Sequence, residues 1–252
     1  MNEVDVAYKF FMYPVLSSML YLSTCKFLGS FRHKLNGLYK HNQYYKCAIK
    51  SLGAIYNLIM TIYSGATFFL LYRALLSDYG AVLDYSSWLK SHLIDSHEVA
   101  NLCWIFLHSK TIEYFDTFFI LLKGGTPIFL QEFHHFGAVW SWFMCLYVDS
   151  SVAVILSLPN SFVHTVMYFY YFLSVFDTRR MLLPIKPVIT TLQLIQLCGG
   201  LYISLSGYIS RHYNNSDHKF LAAVSVAHVY VFILILLFMN FSYNQYMKKK
   251  RG

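Results

Sequence analysis

The sequence has few charged residues, and this shortage excludes an ordinary soluble domain. Only 13% of its 252 residues are Asp, Glu, Lys or Arg, whereas about a quarter are charged in a typical soluble protein. Hydrophobic residues make up 57% of the chain and aromatic residues 19%. Apolar segments of about 20 residues, long enough to cross a bilayer, recur along the whole chain. The composition therefore predicts a polytopic membrane protein.

Other absences narrow the class of protein further. The five cysteines show no CxxC spacing and mostly lie inside apolar segments, which favours buried thiols over disulfides or metal ligands. The N-terminus lacks the basic stretch that opens a secretory signal, so none is expected. No repeat, low-complexity tract or flexible linker interrupts the chain, and residues 1–252 are expected to form a single membrane domain.

Seven apolar segments are predicted to span the membrane as helices, because a helix satisfies its own backbone hydrogen bonds in lipid. They cover residues 10–29, 52–76, 99–122, 128–148, 152–176, 187–208 and 220–241. The net charge of +8 comes from loops between these segments, which indicates membrane orientation and not nucleic-acid binding. Most loop lysines and arginines lie on one side, which the positive-inside rule makes cytosolic. The N-terminus is then lumenal and the C-terminus cytosolic.

Polar side chains form stripes on three of these apolar helices, although ionisable groups at membrane depth are costly and usually face a functional interior. Lys110, Glu113 and Asp116 share one face of the third span. This stripe predicts either an ion pair that holds helices together or part of a functional site.

The fourth and fifth spans carry the histidines. Gln131, His134 and His135 lie within one turn of the fourth span, a cluster that is unusual for a purely structural helix. Asn160 and His164 lie one turn apart on the fifth span, in a stripe that continues to Tyr168 and Tyr171. A hydrogen bond between Asn160 and His164 is the structural alternative to a role in a site. A weaker stripe on the sixth span, explained equally well by helix-to-helix hydrogen bonds, contains Thr190, Gln193 and Gln196.

Four segments resemble the successive motifs of the ELO family of very-long-chain fatty acid elongases. In chain order they read SKTIEYFDTFFILLK, FLQEFHH, NSFVHTVMYFYY and KPVITTLQLIQ. The resemblance implies an all-α membrane protein with seven transmembrane helices, six of them closing around an acyl tunnel that opens to the cytosol. It also implies a 3-oxoacyl-CoA synthase of the endoplasmic reticulum membrane, an acyltransferase that condenses a long-chain acyl-CoA with malonyl-CoA and releases carbon dioxide and CoA.

One position departs from the usual motif of the resembled family. Its histidine box commonly reads HxxHH, whereas Gln131 occupies the first place here. A minority of similar members also have glutamine at this place. Glutamine forms hydrogen bonds but does not titrate, so Gln131 is expected to orient His134 or His135.

The resemblance also assigns roles to the polar residues. His134 is expected to accept the acyl group, because neutral imidazole is a competent nucleophile, and His135 and His164 are expected to transfer protons or bind the oxyanion. Three side chains are expected to donate hydrogen bonds to the enolate oxygen: Asn160, Gln131 and Tyr168. Four others are expected to frame the site: Lys110, Glu113, Asp116 and Gln193. Malonyl decarboxylation requires no metal, so no metal and no cofactor beyond the two CoA substrates is expected.

Four basic residues at the cytosolic side are candidates for binding the phosphates of CoA, although the positive-inside bias explains them equally well. They are Lys123, Arg179, Arg180 and Lys186. Lys249 and Lys250 have the placement of a retrieval signal for the endoplasmic reticulum or of a basic flank to the last helix. Asn214 lies in an N-x-S acceptor for glycosylation, in a loop that is predicted to be lumenal.

Two other classes of protein share parts of this pattern. A membrane di-iron desaturase or hydroxylase also uses HxxHH boxes, but it needs several of them, and this chain has no second one. A seven-helix transporter or receptor would use the polar stripes to line a permeation path or a ligand pocket. For the elongase, the expected partners are membrane lipid, the two CoA substrates and the ketoreductase, dehydratase and enoyl reductase of the elongation cycle. The sequence leaves open whether the chain forms a homodimer.

Overall fold

The computed structural model describes residues 3–79, 96–148, 151–176, 182–212 and 218–247, and these are almost entirely helical. Their helices are α1 (Glu3–Ser30), α2 (Arg32–His41), α3 (Gln43–Tyr79), α4 (His97–Ile112), α5 (Tyr114–Leu122), α6 (Phe129–Tyr147), α7 (Ser151–Leu173), α8 (Ile185–His212) and α9 (His218–Ser242). A π-helix over Tyr243–Met247 continues α9. The described residues contain no β-strand, and the predicted all-α class is confirmed for them.

The third predicted span, residues 99–122, differs from the prediction because it is two helices. The chain departs from the α-helical pattern at Glu113, where the backbone N–H of Asp116 bonds to the carbonyl of Glu113, three residues back. This bond closes a turn that is tighter than a turn of α-helix, in which the bond spans four residues. Neither proline nor glycine marks this point, so the break could not be predicted from the local sequence.

The first loop, between the first two predicted spans, also differs from the prediction because it is largely helical. It forms α2 and the first turns of α3, separated by Asn42 in an extended conformation. The side-chain oxygen of Asn42 accepts a hydrogen bond from the backbone N–H of Tyr45 at 3.0 Å, which caps the start of α3. None of the residues of α2 is buried in the described structure.

The chain is a multi-pass membrane protein in composition and structure. By length and apolarity alone, three stretches of helix among the described residues are suited to cross a membrane: Gln43–Ser77, Ile185–Ser206 and His218–Tyr246. Large apolar side chains are exposed on them, including Phe69, Tyr202 and Phe232, as expected of surfaces that face lipid. The count of seven spans remains a prediction.

Six of the helical segments pack in a closed order. Helix α3 packs against α4, α4 against α6, α6 against α9, α9 against α8, α8 against α7, and α7 returns to α3. We call this set the helix ring. Helix α1 packs on α5 and α6. At one end of the helix ring, where α6 ends and α7 begins, the interior is filled by a buried apolar cluster that includes Phe106, Phe143 and Val154. The opposite end holds the cavity described below.

Several predicted features lie outside the described residues. They are the CoA-binding candidates Arg179 and Arg180, the acceptor Asn214, and the terminal lysines Lys249 and Lys250.

Candidate active site

A cavity of about 470 Å³ lies within the helix ring, at the end where α6 begins and α7 ends. Three lysines line it, Lys50 on α3, Lys123 at the end of α5 and Lys186 on α8, and the side chain of Lys123 is exposed. Buried Glu113, His135 and His164 also line it. The cavity therefore joins a basic, solvent-accessible end to a buried polar end, with apolar and aromatic side chains between them.

The buried end is built around an ion pair. The ammonium of Lys110 donates hydrogen bonds to Glu113 Oε1 at 2.7 Å and to Asn160 Oδ1 at 2.8 Å, and it lies 4.5 Å from the centre of the Phe106 ring. Nδ1 of His164 lies 3.1 Å from the same oxygen of Glu113. All four polar side chains are buried. The predicted Lys–Glu pair thus exists, and it also joins the third predicted span to the histidine of the fifth.

Asn160 differs from one of its two predicted arrangements. Its side chain bonds to Lys110 and donates to Gln196 Oε1 at 3.4 Å, and not to His164. Asn160 is also absent from the wall of the cavity, as is Lys110. The polar atoms of Asn160 hold Lys110 and Gln196 in this arrangement, and its donation to an enolate oxygen stays a prediction.

The histidines converge at the buried end of the cavity. One atom each from Glu113, His134 and His164 can be chosen so that all three lie within 4.8 Å of one another. The rings of His134 and His135 are 5.5 Å apart and inclined by 51°, so the two adjacent histidines present different edges. His135 packs near Tyr21 and Tyr114, and its Nδ1 has no hydrogen-bond partner among the described residues.

The side chain of Gln131 bonds to a threonine in this structure. Its side-chain amide donates to Thr117 Oγ1 at 3.3 Å, and the hydroxyl of Tyr21 lies at the same distance from that oxygen. No bond between Gln131 and His134 or His135 is seen among the described residues, because Thr117 on α5 faces this turn of α6. An orienting role for Gln131 stays a prediction. Gln131 still lines the cavity.

A second polar contact on the cavity wall involves Asp116. The hydroxyl of Tyr168 donates to Asp116 Oδ2 at 2.6 Å, and the Tyr56 ring meets that of Tyr168 edge-to-face at 6.0 Å. The hydroxyl proton of Tyr168 is therefore already donated to the carboxylate of Asp116. Tyr168 could donate it to an enolate oxygen, as predicted, only if this bond broke. Gln193 also lines the cavity, where its amide lies 3.3 Å from Met167 Sδ.

The structure places further residues at the site that the motifs did not indicate: some line the cavity, and one contacts His134. Lys50, Gly53, Tyr56 and Asn57 line the cavity from α3, at helical spacings of three and four residues that the sequence does show. Tyr230 on α9 contacts His134. No pattern distinguished it, since it is a single tyrosine in a strongly apolar segment.

Glu113, His134 and His164 also form the group of side chains best placed to hold a metal ion among the described residues. Their chemistry argues against this use, because the ammonium of Lys110 already binds the Glu113 carboxylate and would repel a cation. A two-metal site of the desaturase type would need further ligands beyond these three. Metal-free chemistry remains the prediction.

Comparison with known proteins gives concordant matches. The model of a family described as ELO, GNS1/SUR4, matches residues 7–252. "Very long chain fatty acid elongase 1" of Homo sapiens is 33% identical over 159 residues, which are 61% of this chain and 55% of that protein. "Very long chain fatty acid elongase 7" of Rattus norvegicus is 28% identical over 216 residues, 81% of this chain and 72% of that protein. "Fatty acid elongase 3" of Trypanosoma cruzi is 34% identical over 113 residues, 44% of this chain and 37% of that protein. The alignment thus spans about half the length of the human relative.

Proposed function

Because the chain belongs to the ELO family, GNS1/SUR4, we propose that it is a fatty acid elongase that performs the condensing step. It joins a long-chain acyl-CoA to malonyl-CoA and gives a 3-oxoacyl-CoA, carbon dioxide and CoA. The observation that carries this proposal is the approach of His134, His164 and Glu113 at the buried end of a cavity whose other end is basic.

The shape and charge of the cavity suit an acyl-CoA. Lys50, Lys123 and Lys186 supply positive charge for the phosphates of CoA at the accessible end. The thioester then lies deeper, beside the histidines. None of the residues that line the cavity belongs to the buried cluster that contains Phe106, Trp142 and Phe143, and Trp142 is held in that cluster by a hydrogen bond to Ser157 at 2.9 Å. A tunnel for a long acyl chain therefore requires these side chains to move aside.

We propose that the reaction proceeds through an acyl-histidine. A ring nitrogen of neutral His134 attacks the thioester carbonyl, the C–S bond breaks, and CoA leaves as a thiolate that takes a proton from solvent. The acyl carbon is then bonded to a ring nitrogen of His134, and the resulting acyl-imidazolium is an activated acyl donor. Malonyl-CoA replaces CoA in the cavity and loses carbon dioxide, and its enolate attacks the acyl carbon. The product leaves and neutral His134 is restored.

His164 is placed to assist this chemistry, and its loss is expected to lower kcat by about 10²-fold. Its ring faces Glu113 and the attacking histidine, where it can hold a proton or bind the oxyanion that forms at the thioester. The measurement is steady-state turnover of the purified His164→Ala enzyme. His228→Ala is the matched control, because His228 is also partly buried and hydrogen-bonded, to Ser204, but does not line the cavity. If the His164→Ala enzyme were as active as the control, His164 would have no part in the reaction.

We propose that the protein resides in the endoplasmic reticulum membrane with the basic end of the cavity toward the cytosol, where acyl-CoA and malonyl-CoA are available. Its 3-oxoacyl product would pass to a ketoreductase and then to a dehydratase and an enoyl reductase. The test of the activity is malonyl-CoA-dependent elongation by microsomes that contain the chain, across a panel of acyl-CoAs. Folded protein that elongates no member of the panel would contradict the proposed function and favour a transporter or receptor.

A further inference from the structure

Tyr230 makes two contacts with one residue of the site. Its hydroxyl lies 3.2 Å from Nδ1 of His134 and donates to the backbone carbonyl of the same residue at 3.1 Å. Tyr230 is buried on α9, which packs along α6 in the helix ring. It lies outside every motif that the sequence analysis identified, and no role for it follows from the acyl-histidine chemistry alone.

The two contacts fix where the protons lie. A phenol has one hydrogen, and a backbone carbonyl can only accept. If the phenol hydrogen went to Nδ1, two oxygens would face each other at 3.1 Å without a proton between them. Both contacts are hydrogen bonds only when Nδ1 carries a proton and donates it to the phenol oxygen, while the phenol donates to the carbonyl. In a neutral imidazole only one nitrogen is protonated, so the bond from Nδ1 to the phenol oxygen leaves Nε2 of His134 without a proton.

We infer that Tyr230 is a positioning residue that holds His134 in the tautomer with a free lone pair on Nε2, the nitrogen that attacks the thioester. This inference rests on the proposed acyl-histidine mechanism. After the attack the imidazole bears a positive charge, and the Nδ1 proton remains bonded to the phenol oxygen. The carbonyl at the far end of this chain of two hydrogen bonds polarises it in the direction that stabilises the imidazolium. Tyr230 therefore acts before and after the C–S bond breaks without touching the substrate.

The packing around Tyr230 holds its ring in this position. The ring stacks on Phe133 at a centroid distance of 5.5 Å. It also lies against Gly137, where an added Cβ atom would overlap the Cδ2 and Cε2 atoms of the tyrosine. Phe133 and Gly137 lie one turn apart on α6, on either side of His134 in sequence. Glycine at 137 is thus required for the close approach of α9, and this approach brings the hydroxyl to His134.

Replacing Tyr230 with phenylalanine is expected to slow acylation by about 10–100-fold, by analogy with the loss that follows when the partner that orients a metal-ligating histidine is removed. The ring and its packing remain, so KM for acyl-CoA should change by less than about twofold, and the loss should fall on kcat. The measurement is the rate of CoA release by purified enzyme mixed with acyl-CoA alone in a rapid-quench experiment. Tyr45→Phe is the matched control, because it removes a bond from a tyrosine hydroxyl to the carbonyl of Leu122 at 2.9 Å, and Tyr45 does not line the cavity.

A second variant tests the same contact from α6. Gly137→Ala keeps the hydroxyl but displaces the ring, so it should also slow acylation, and combining it with Tyr230→Phe should add little further loss. Acylation by Tyr230→Phe at the rate of the Tyr45→Phe control, or a loss confined to KM, would overturn the role of Tyr230. Absence of any acyl adduct in the unaltered enzyme would instead overturn the covalent mechanism, and the role of Tyr230 with it.

Discussion

Replacing His134 with alanine is expected to abolish both the acyl-enzyme and the elongated product. The nucleophile would be lost outright, and a neighbouring histidine cannot replace it without rearrangement. His135 has its ring 5.5 Å away in a different orientation and packs near Tyr21 and Tyr114. His164 is held against Glu113. The measurement is malonyl-CoA-dependent product formation by purified enzyme, together with release of CoA from acyl-CoA alone.

The control for this variant is again His228→Ala, which removes a histidine from α9 outside the cavity. It should retain activity close to that of the unaltered enzyme. Elongation by a folded His134→Ala enzyme at a substantial rate would show that the acyl group is not carried by this residue, and direct condensation of the two CoA esters would replace the proposed sequence of steps.

The largest expected loss of stability comes from Lys110. Its ammonium is buried and bonded to Glu113 and Asn160. Replacing it with methionine keeps the volume but leaves the Glu113 carboxylate buried beside a neutral side chain. Removing one partner of a buried ion pair typically costs about 3–5 kcal/mol of folding free energy. Lys110→Met should therefore lower the thermal unfolding midpoint in detergent by several degrees or more.

The double variant Lys110→Met, Glu113→Gln separates the unpaired charge from other effects. In the double variant neither side chain of the pair is charged, so no buried charge is left unpaired and much of the lost stability should return. Activity should not return, because Glu113 lines the cavity beside His164. A single variant as stable as the unaltered protein, or a double variant no more stable than the single one, would contradict the account of this ion pair.

The helices and the set of polar residues that meet could be predicted from the sequence, because both follow from periodicity. Long apolar runs specify helices in lipid, and a polar stripe specifies which face of each helix must turn inward. Glu113 and His164 lie on predicted stripes of different helices, and the structure brings them to 3.1 Å. Periodicity carries this information without any knowledge of the angles between helices.

The individual partners could not be predicted, because they depend on distances between helices. Asn160 and His164 lie one turn apart on the same helix, so a bond between them was possible. Instead, the side-chain oxygen of Asn160 accepts a hydrogen bond from the charged ammonium of Lys110 on α4. Gln131 faces Thr117 because of how α5 lies beside α6. Tyr230 matters only because Gly137 lets α9 approach closely, and nothing in the local sequence around position 230 expresses that approach.

The acyl-histidine is tested most directly by the intact mass of the purified enzyme after incubation with acyl-CoA alone. If His134 carries the acyl group, the mass should increase by one acyl group, located at His134 by peptide mapping and discharged when malonyl-CoA is added. Unchanged mass, in enzyme that turns over normally once malonyl-CoA is supplied, would contradict the acyl-histidine and leave direct condensation in its place.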